Sequence, residues 1–239
     1  MRKRIIITVC IVLAAAAGFG LFFGISSCVK HRKEAEERER LIREYIENKK
    51  TIYAEENAAG GDFEIIFLGD SLTDGCDIAK YYGEYRASNR GIGGDTTAGL
   101  IERLQVSAYD AHPQVIVLLI GGNDILGGKS LDSVCENYDT IIMGIRQHLP
   151  DTKIVWCSLS PLGKDWAKHN DTVISCNESI RGFAGEYGCA FVDIFTPLCD
   201  TRTGEIFDEY TVEGVHFTDA GYKVVSAAVK EALREALGH

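Results

Sequence analysis

Six consecutive apolar residues, Val115-Ile116-Val117-Leu118-Leu119-Ile120, suit a strand covered on both faces, as in a parallel sheet. Comparable short runs recur at 63–68, 153–159 and 190–192, with a weaker one at 86–90. Helical patterns lie between them, at about 97–108, 131–149, 171–187 and 219–237. Asn170 or Asp171 is an expected N-cap for the third of these helices, and Thr218 or Asp219 for the fourth. Strand–helix alternation of this kind predicts a three-layer α/β domain with a mostly parallel sheet. Such sheets bind ligands beyond the carboxyl ends of their strands.

The first sixty of the 239 residues differ from the rest. Met1-Arg2-Lys3-Arg4 precedes an uncharged run from Ile5 to Val29, which is followed by Lys30-His31-Arg32-Lys33. A run of this length can cross the hydrocarbon core as a helix. Residues 1–29 therefore read as a single-pass membrane anchor, with the domain facing outward from the cell membrane. Ile25-Ser26-Ser27-Cys28 also resembles a bacterial lipobox, in which Cys28 would be lipidated and begin the mature chain. Both readings stand, as does ordinary signal cleavage. Residues 30–61 are rich in Glu, Arg and Lys, and read as a charged juxtamembrane helix and linker ending at Ala58-Ala59-Gly60-Gly61. Residues 62–239 then form one domain large enough for a full hydrophobic core.

Charge narrows the partners. Residues 51–239 hold 14 Lys and Arg against 29 Asp and Glu, a net of −15 within a chain of net −10. Phosphate backbones would repel such a domain, so no nucleic-acid partner is expected. Six cysteines lie in the domain, none in a Cys-x-x-Cys pair, which leaves a zinc or thioredoxin-like site unsupported. Buried free thiols are the expectation, with disulfides permitted in an exported domain. Two glycine-rich stretches are decoys. Gly127-Gly128-Lys129-Ser130 has Asn123 where a phosphate-binding loop needs glycine, and Gly91-x-Gly93 has Thr96 where a dinucleotide fingerprint needs one.

The chemistry gathers in four segments. Gly69-Asp70-Ser71-Leu72-Thr73 follows the first strand, Gly91-Ile92-Gly93-Gly94-Asp95-Thr96-Thr97 the second, and Gly121-Gly122-Asn123-Asp124 the third. Glu213-Gly214-Val215-His216 precedes the last helix. Each segment alone would pass for a turn or a surface histidine. Together they supply the parts of acyl transfer. A serine hydroxyl needs a neighbouring base, which histidine provides near neutral pH. A carboxylate on the other ring nitrogen fixes the tautomer. Glycine N–H and asparagine amide groups can stabilise a developing oxyanion.

In order and content, these segments resemble blocks I, II, III and V of the SGNH/GDSL hydrolase family, across roughly residues 63–238. The resemblance implies a flavodoxin-like fold with strand order 2-1-3-4-5. It implies Ser71 as nucleophile and His216 as general base. The oxyanion donors would be Gly94 N–H, the Asn123 side-chain amide and the Ser71 N–H. No metal or cofactor is implied. The family usually has Asp three residues before the histidine, where this chain has Glu213. Glu213, Asp208, Asp219 or a backbone carbonyl could orient His216, and Glu213 is preferred because glutamate serves in other triads. The expected activity is hydrolysis of carboxylic esters through an acyl-serine. GIGGDTT resembles the second block of the acetylhydrolase-like branch, which favours short acyl groups on glycans or lipid-derived esters. Lysophospholipase, thioesterase and O-acyltransferase activities use the same serine and stay open. So does a catalytically silent, glycan-binding envelope protein, in which Glu213 marks decay of the triad. Neither substrate nor oligomeric state is legible.

Overall fold

A computed structural model describes residue 30 and residues 32–238. The expected anchor at 5–29, with Cys28, lies outside the described residues. Among the described residues no helix is long and apolar enough to cross a membrane. The chain divides into two compact units, residues 1–48 and 49–239. In the first, residues 32–48 are helical and exposed charges pair along the helix, as in Arg32–Glu36 and Arg40–Glu44.

In the second unit the apolar runs become five parallel strands: β1 (Ile65–Gly69), β2 (Ala87–Gly91), β3 (Val115–Leu119), β4 (Lys153–Cys157) and β5 (Ala190–Val192). Their order is β2-β1-β3-β4-β5, as the family resemblance implies. β1 and β3 are buried at every position, which is why they read as unbroken apolar runs.

The α-helices that follow β1 are α1 (Ser71–Asp74), α2 (Ile78–Tyr82), α3 (Thr97–Ser107), α4 (Gly122–Leu126), α5 (Leu131–His148), α6 (Asn170–Glu186), α7 (Phe195–Leu198) and α8 (Asp219–Leu237). Alternate strand residues face opposite layers. Trp156 of β4 meets Tyr138 of α5 and Phe183 of α6, with ring centroids 5.1 and 6.4 Å away. On the other face Phe67 of β1 meets Tyr82 of α2 at 4.5 Å. Its neighbours Val117 and Cys157 line the same small apolar cavity as Val225 and Val229 of α8.

Local chemistry sets most helix starts. Thr96, Ser130 and Thr218 each accept a backbone N–H from the first turn of α3, α5 and α8. The cap expected at Asn170 or Asp171 does not form. His169 occupies the capping position with no side-chain bond. Asn170 is buried and exchanges hydrogen bonds with Leu162 N and O, so a loop rather than the helix claims its amide. The six cysteines of the domain are free thiols, and burial pushes Cys157 up to about 12 and Cys176 up to about 11.

Residues 49–58 fall within the expected linker, yet in the structure they are helical and pack on the sheet edge. Tyr53 is 2% exposed because its ring covers the guanidinium of Arg90 in β2, 4.7 Å away, with Phe63 at 5.1 Å. Glu56 and Asn57 pair with that buried guanidinium, and burial holds its pKa below the ordinary range.

At the end of β2 the backbone runs against α1. A Cβ on Gly91 would sit 2.2 Å from the Asp74 N, a backbone atom that cannot swing away. On Gly182, exposed in the middle of α6, a Cβ would meet nothing within 4 Å. Gly91→Ala should therefore cost about 3 kcal/mol of stability by overpacking, whereas Gly182→Ala should add about 0.5–1 kcal/mol by restricting the unfolded chain. Chemical denaturation of both variants checks the pair, and equal effects would contradict the packing described.

Candidate active site

The strand order places β1 between β2 and β3, so the turns that leave these three strands meet at one edge. After β1 the chain makes a single helical turn. Asp70 caps it by accepting the Leu72 N–H at 3.0 Å, which puts Ser71 at the first helical position. A backbone N–H there has no intrahelical acceptor. After β2, the Asp95 N–H bonds back to Ile92 O and closes a turn in which Gly94 has φ +78°. An L side chain rarely adopts that conformation. After β3, Gly121 turns with φ +122° and α4 begins, carrying Asn123.

The fourth segment approaches from the α8 side. Thr211 pairs with Phe217 across a short bridge, and Val212 N–H donates to His216 O, so residues 211–217 form a tight loop. Gly214 has φ +98° at its tip, where its carbonyl accepts the Gly163 N–H. A Cβ there would lie 2.3 Å from Gly163 O. The loop delivers His216 to Ser71, with Nε2 to Oγ at 2.9 Å.

On the other side of the ring, Nδ1 bonds Glu213 Oε1, and the same oxygen accepts the His216 backbone N–H at 3.2 Å. The longer glutamate side chain thus folds back over its own turn, which absorbs the extra methylene. A carboxylate can only accept, so Nδ1 carries the proton and the neutral ring offers a bare Nε2 to the serine hydroxyl. Asp219, considered from the sequence as a partner for His216, is engaged by Lys80, Lys223 and Tyr81.

Asn123 donates from Nδ2 to Asp95 O at 2.8 Å. Because a carbonyl is the partner, the amide nitrogen must face it, and its second N–H is left over. All five residues singled out in the sequence, Ser71, Gly94, Asn123, Glu213 and His216, line one open cleft of ≈ 500 Å³. Leu126, Trp166 and Val215 form its apolar side, and Trp166 is 39% exposed.

Behind this surface lie residues that motif reading missed. Arg103, 3% exposed on α3, donates to Gly69 O at the end of β1, to Arg90 O in β2 and to the Asp95 carboxylate at 2.7 Å. Asp124 accepts from both Thr97 N and Thr97 Oγ1, tying α4 to the start of α3. A signal for Arg103 existed, since it shares a helical face with Leu100, Leu104 and Ser107. Burial raises the pKa of Asp95, opposed by the Arg103 guanidinium. It raises Asp70 to about 7, with the Leu72 N–H opposing and Asp95 and Asp124 adding repulsion.

This geometry is that of a serine hydrolase. The sequence profile of the GDSL-like Lipase/Acylhydrolase family matches residues 67–224, and the chain belongs to that family. It is a carboxylic ester hydrolase of the SGNH type. Among curated proteins, it is 29% identical over 182 residues to the platelet-activating factor acetylhydrolase IB subunit beta homolog of Drosophila melanogaster, covering 74% of this chain and 80% of that one. The alpha1 subunit from Bos taurus is 26% identical, over 71% of this chain and 75% of its own length. Among solved structures, a protein from Streptococcus pneumonia provisionally described as a platelet activating factor superposes with a TM-score of 0.78. Identity is 27%, covering 83% of this chain and 97% of that one. A GDSL-like lipase from Bacteroides thetaiotaomicron shares the fold with a TM-score of 0.71 at 23% identity, over 78% and 98%.

The buried Asp70 carboxyl makes stability depend on pH. Its folded pKa of about 7 lies above the ordinary 3.8, so between those values the folded chain binds the extra proton. Its contribution is fully present below pH 4 and lost as pH rises through 7. Asp70→Asn should therefore gain on the wild type by a few kcal/mol (about 4 at most) between pH 4.5 and pH 8. Denaturant melts across that range measure the gap, and a constant gap would show that Asp70 does not titrate there.

Proposed function

We propose that the chain hydrolyses short-chain carboxylic esters, acetyl above all, through an acyl-serine formed on Ser71. The continuous hydrogen-bonded relay from Glu213 through His216 to Ser71 carries this reading. In the first half-reaction His216 Nε2 takes the serine proton as Oγ attacks the ester carbonyl. The tetrahedral intermediate places its negative oxygen among the Ser71 and Gly94 N–H groups and the free N–H of Asn123. His216 then returns the proton to the leaving alkoxide, and the alcohol departs. Water repeats the sequence on the acyl-serine and releases the acid. Glu213 accepts from Nδ1 throughout, holding the imidazole tautomer and stabilising the imidazolium.

Support for a short acyl group comes from relatives named acetylhydrolases and from the Gly91–Thr97 segment that resembles their second block. The alcohol portion is glycan or lipid-derived in this reading. The flat, exposed Trp166 beside Leu126 and Val215 supplies an apolar platform in the cleft for it.

Nitrophenyl esters from C2 to C12 test the proposal on the purified chain. Turnover should be highest at C2, and Ser71→Ala should lower kcat at least about 1,000-fold. Glu213→Gln should lower it at least about 100-fold with little change in KM, because an amide can present the wrong tautomer to the ring. Ser71-independent turnover would remove the nucleophile from this account. A Glu213→Gln rate near that of the wild type would move the orienting role elsewhere. Release that accelerates with an added acyl acceptor would reassign the chain as a transferase.

A further inference from the structure

The helical segment 49–58 precedes the family-matched region, yet it touches the end of β2 and the turn α1, from which Gly94 and Ser71 are presented. Tyr53 Oη donates to Gly91 O at 2.6 Å in a buried setting. Gly91 is the last residue of β2 and the hinge from which the Ile92-Gly93-Gly94 turn departs. One helical turn earlier, Lys49 Nζ meets Asp74 Oδ1 at 2.5 Å, at the end of the single turn that carries Ser71. Asn57 donates to Val106 O on α3, the helix that holds Arg103.

We propose that this segment is a strap that positions the oxyanion side of the site, with Tyr53 as the positioning residue and Lys49 as a second tie to the nucleophile's turn. The inference rests on the acyl-serine reading above.

The physical need for such a strap is local. The end of β2 runs so close to α1 that a Cβ on Gly91 would sit 2.2 Å from Asp74 N, and Tyr53 meets the Gly91 carbonyl. Its N–H is held by Asn89 Oδ1 at 2.9 Å, and its carbonyl by Tyr53. Holding both ends of this residue restrains the start of the turn that carries Gly94, which the Asp95 N–H closes on Ile92 O. Tyr53 itself is held by its ring against the Arg90 guanidinium, so its hydroxyl has little freedom. Oxyanion donors act only when aimed at the developing charge, and small misplacements there are costly.

Tyr53→Phe removes the hydroxyl and leaves the ring on Arg90. In the full chain with nitrophenyl acetate, kcat should fall about 10-fold with KM nearly unchanged, as expected when a donor is loosened rather than lost. Binding of a trifluoromethyl ketone, which forms an oxyanion on the serine, should weaken by the same factor. The fraction of chains titrated by a fluorophosphonate should stay at the wild-type level. Lys49→Gln should give a smaller loss of the same kind, and it carries the test if Tyr53→Phe does not fold. Wild-type kcat and ketone affinity in the folded variant would overturn the proposal. So would a kcat loss matched by lost titratable sites, which would show a folding role only. Absence of Ser71-dependent turnover in the wild type would overturn the underlying reading and this one with it.

Discussion

Much of the site depends on one buried guanidinium. Arg103 binds the carbonyl that ends β1, a carbonyl within β2 and the carboxylate of Asp95 in the turn between β2 and α3. It does so with almost no contact with solvent. Burying a cation is costly unless its donors are met, and Arg103 meets them with the strand ends that the chemistry needs held together. Its planar fork spreads three nitrogens over acceptors on separate elements, a wider reach than the single nitrogen of a lysine. The first two strands, and with them Ser71 and Gly94, are thereby kept in register at their carboxyl ends.

That arrangement concentrates carboxylates. Asp70, Asp95 and Asp124 are crowded together behind the cleft, each tied to a backbone N–H at the start of a helix or turn. Helix N-termini favour negative charge, so the carboxylates sit where the backbone helps to hold them. The help is incomplete for Asp70, which burial leaves close to neutral pH in its titration. Glu213, by contrast, is half-exposed and folds back on its own turn. The site therefore combines a buried, hydrogen-bonded interior behind Ser71 with a carboxylate at the rim that solvent reaches.

Several parts of this were legible in the residues. The six-residue apolar run that supplies β3 reads as a buried strand, and the helix starts at Thr96 and Thr218 are chemical signals of short range. The strand order came from the family resemblance and matches the structure. Asn170 shows the limit of such signals. Its residue type suits a helix cap, but Leu162 in the preceding loop and Gly204 in a distant one offer it partners. Tyr53 shows the limit for domain boundaries. Its neighbours read as a charged linker, and partners far along the chain, the Arg90 side chain and the Gly91 carbonyl among them, make the difference.

By itself, the sequence determined which chemistry was available: a serine, a histidine, a carboxylate three residues before it, and glycine and asparagine turns at successive strand ends. Those follow from residue type and short-range spacing, which depend on covalent chemistry alone. Tertiary structure alone decided that Glu213 rather than Asp219 meets His216, because Lys80, Tyr81 and Lys223 converge on Asp219 from two helices. It alone decided that Arg103 faces the strand ends, and that residues 49–58 belong to the catalytic unit. Such choices turn on which partners arrive from far along the chain, and spacing within one segment does not encode them.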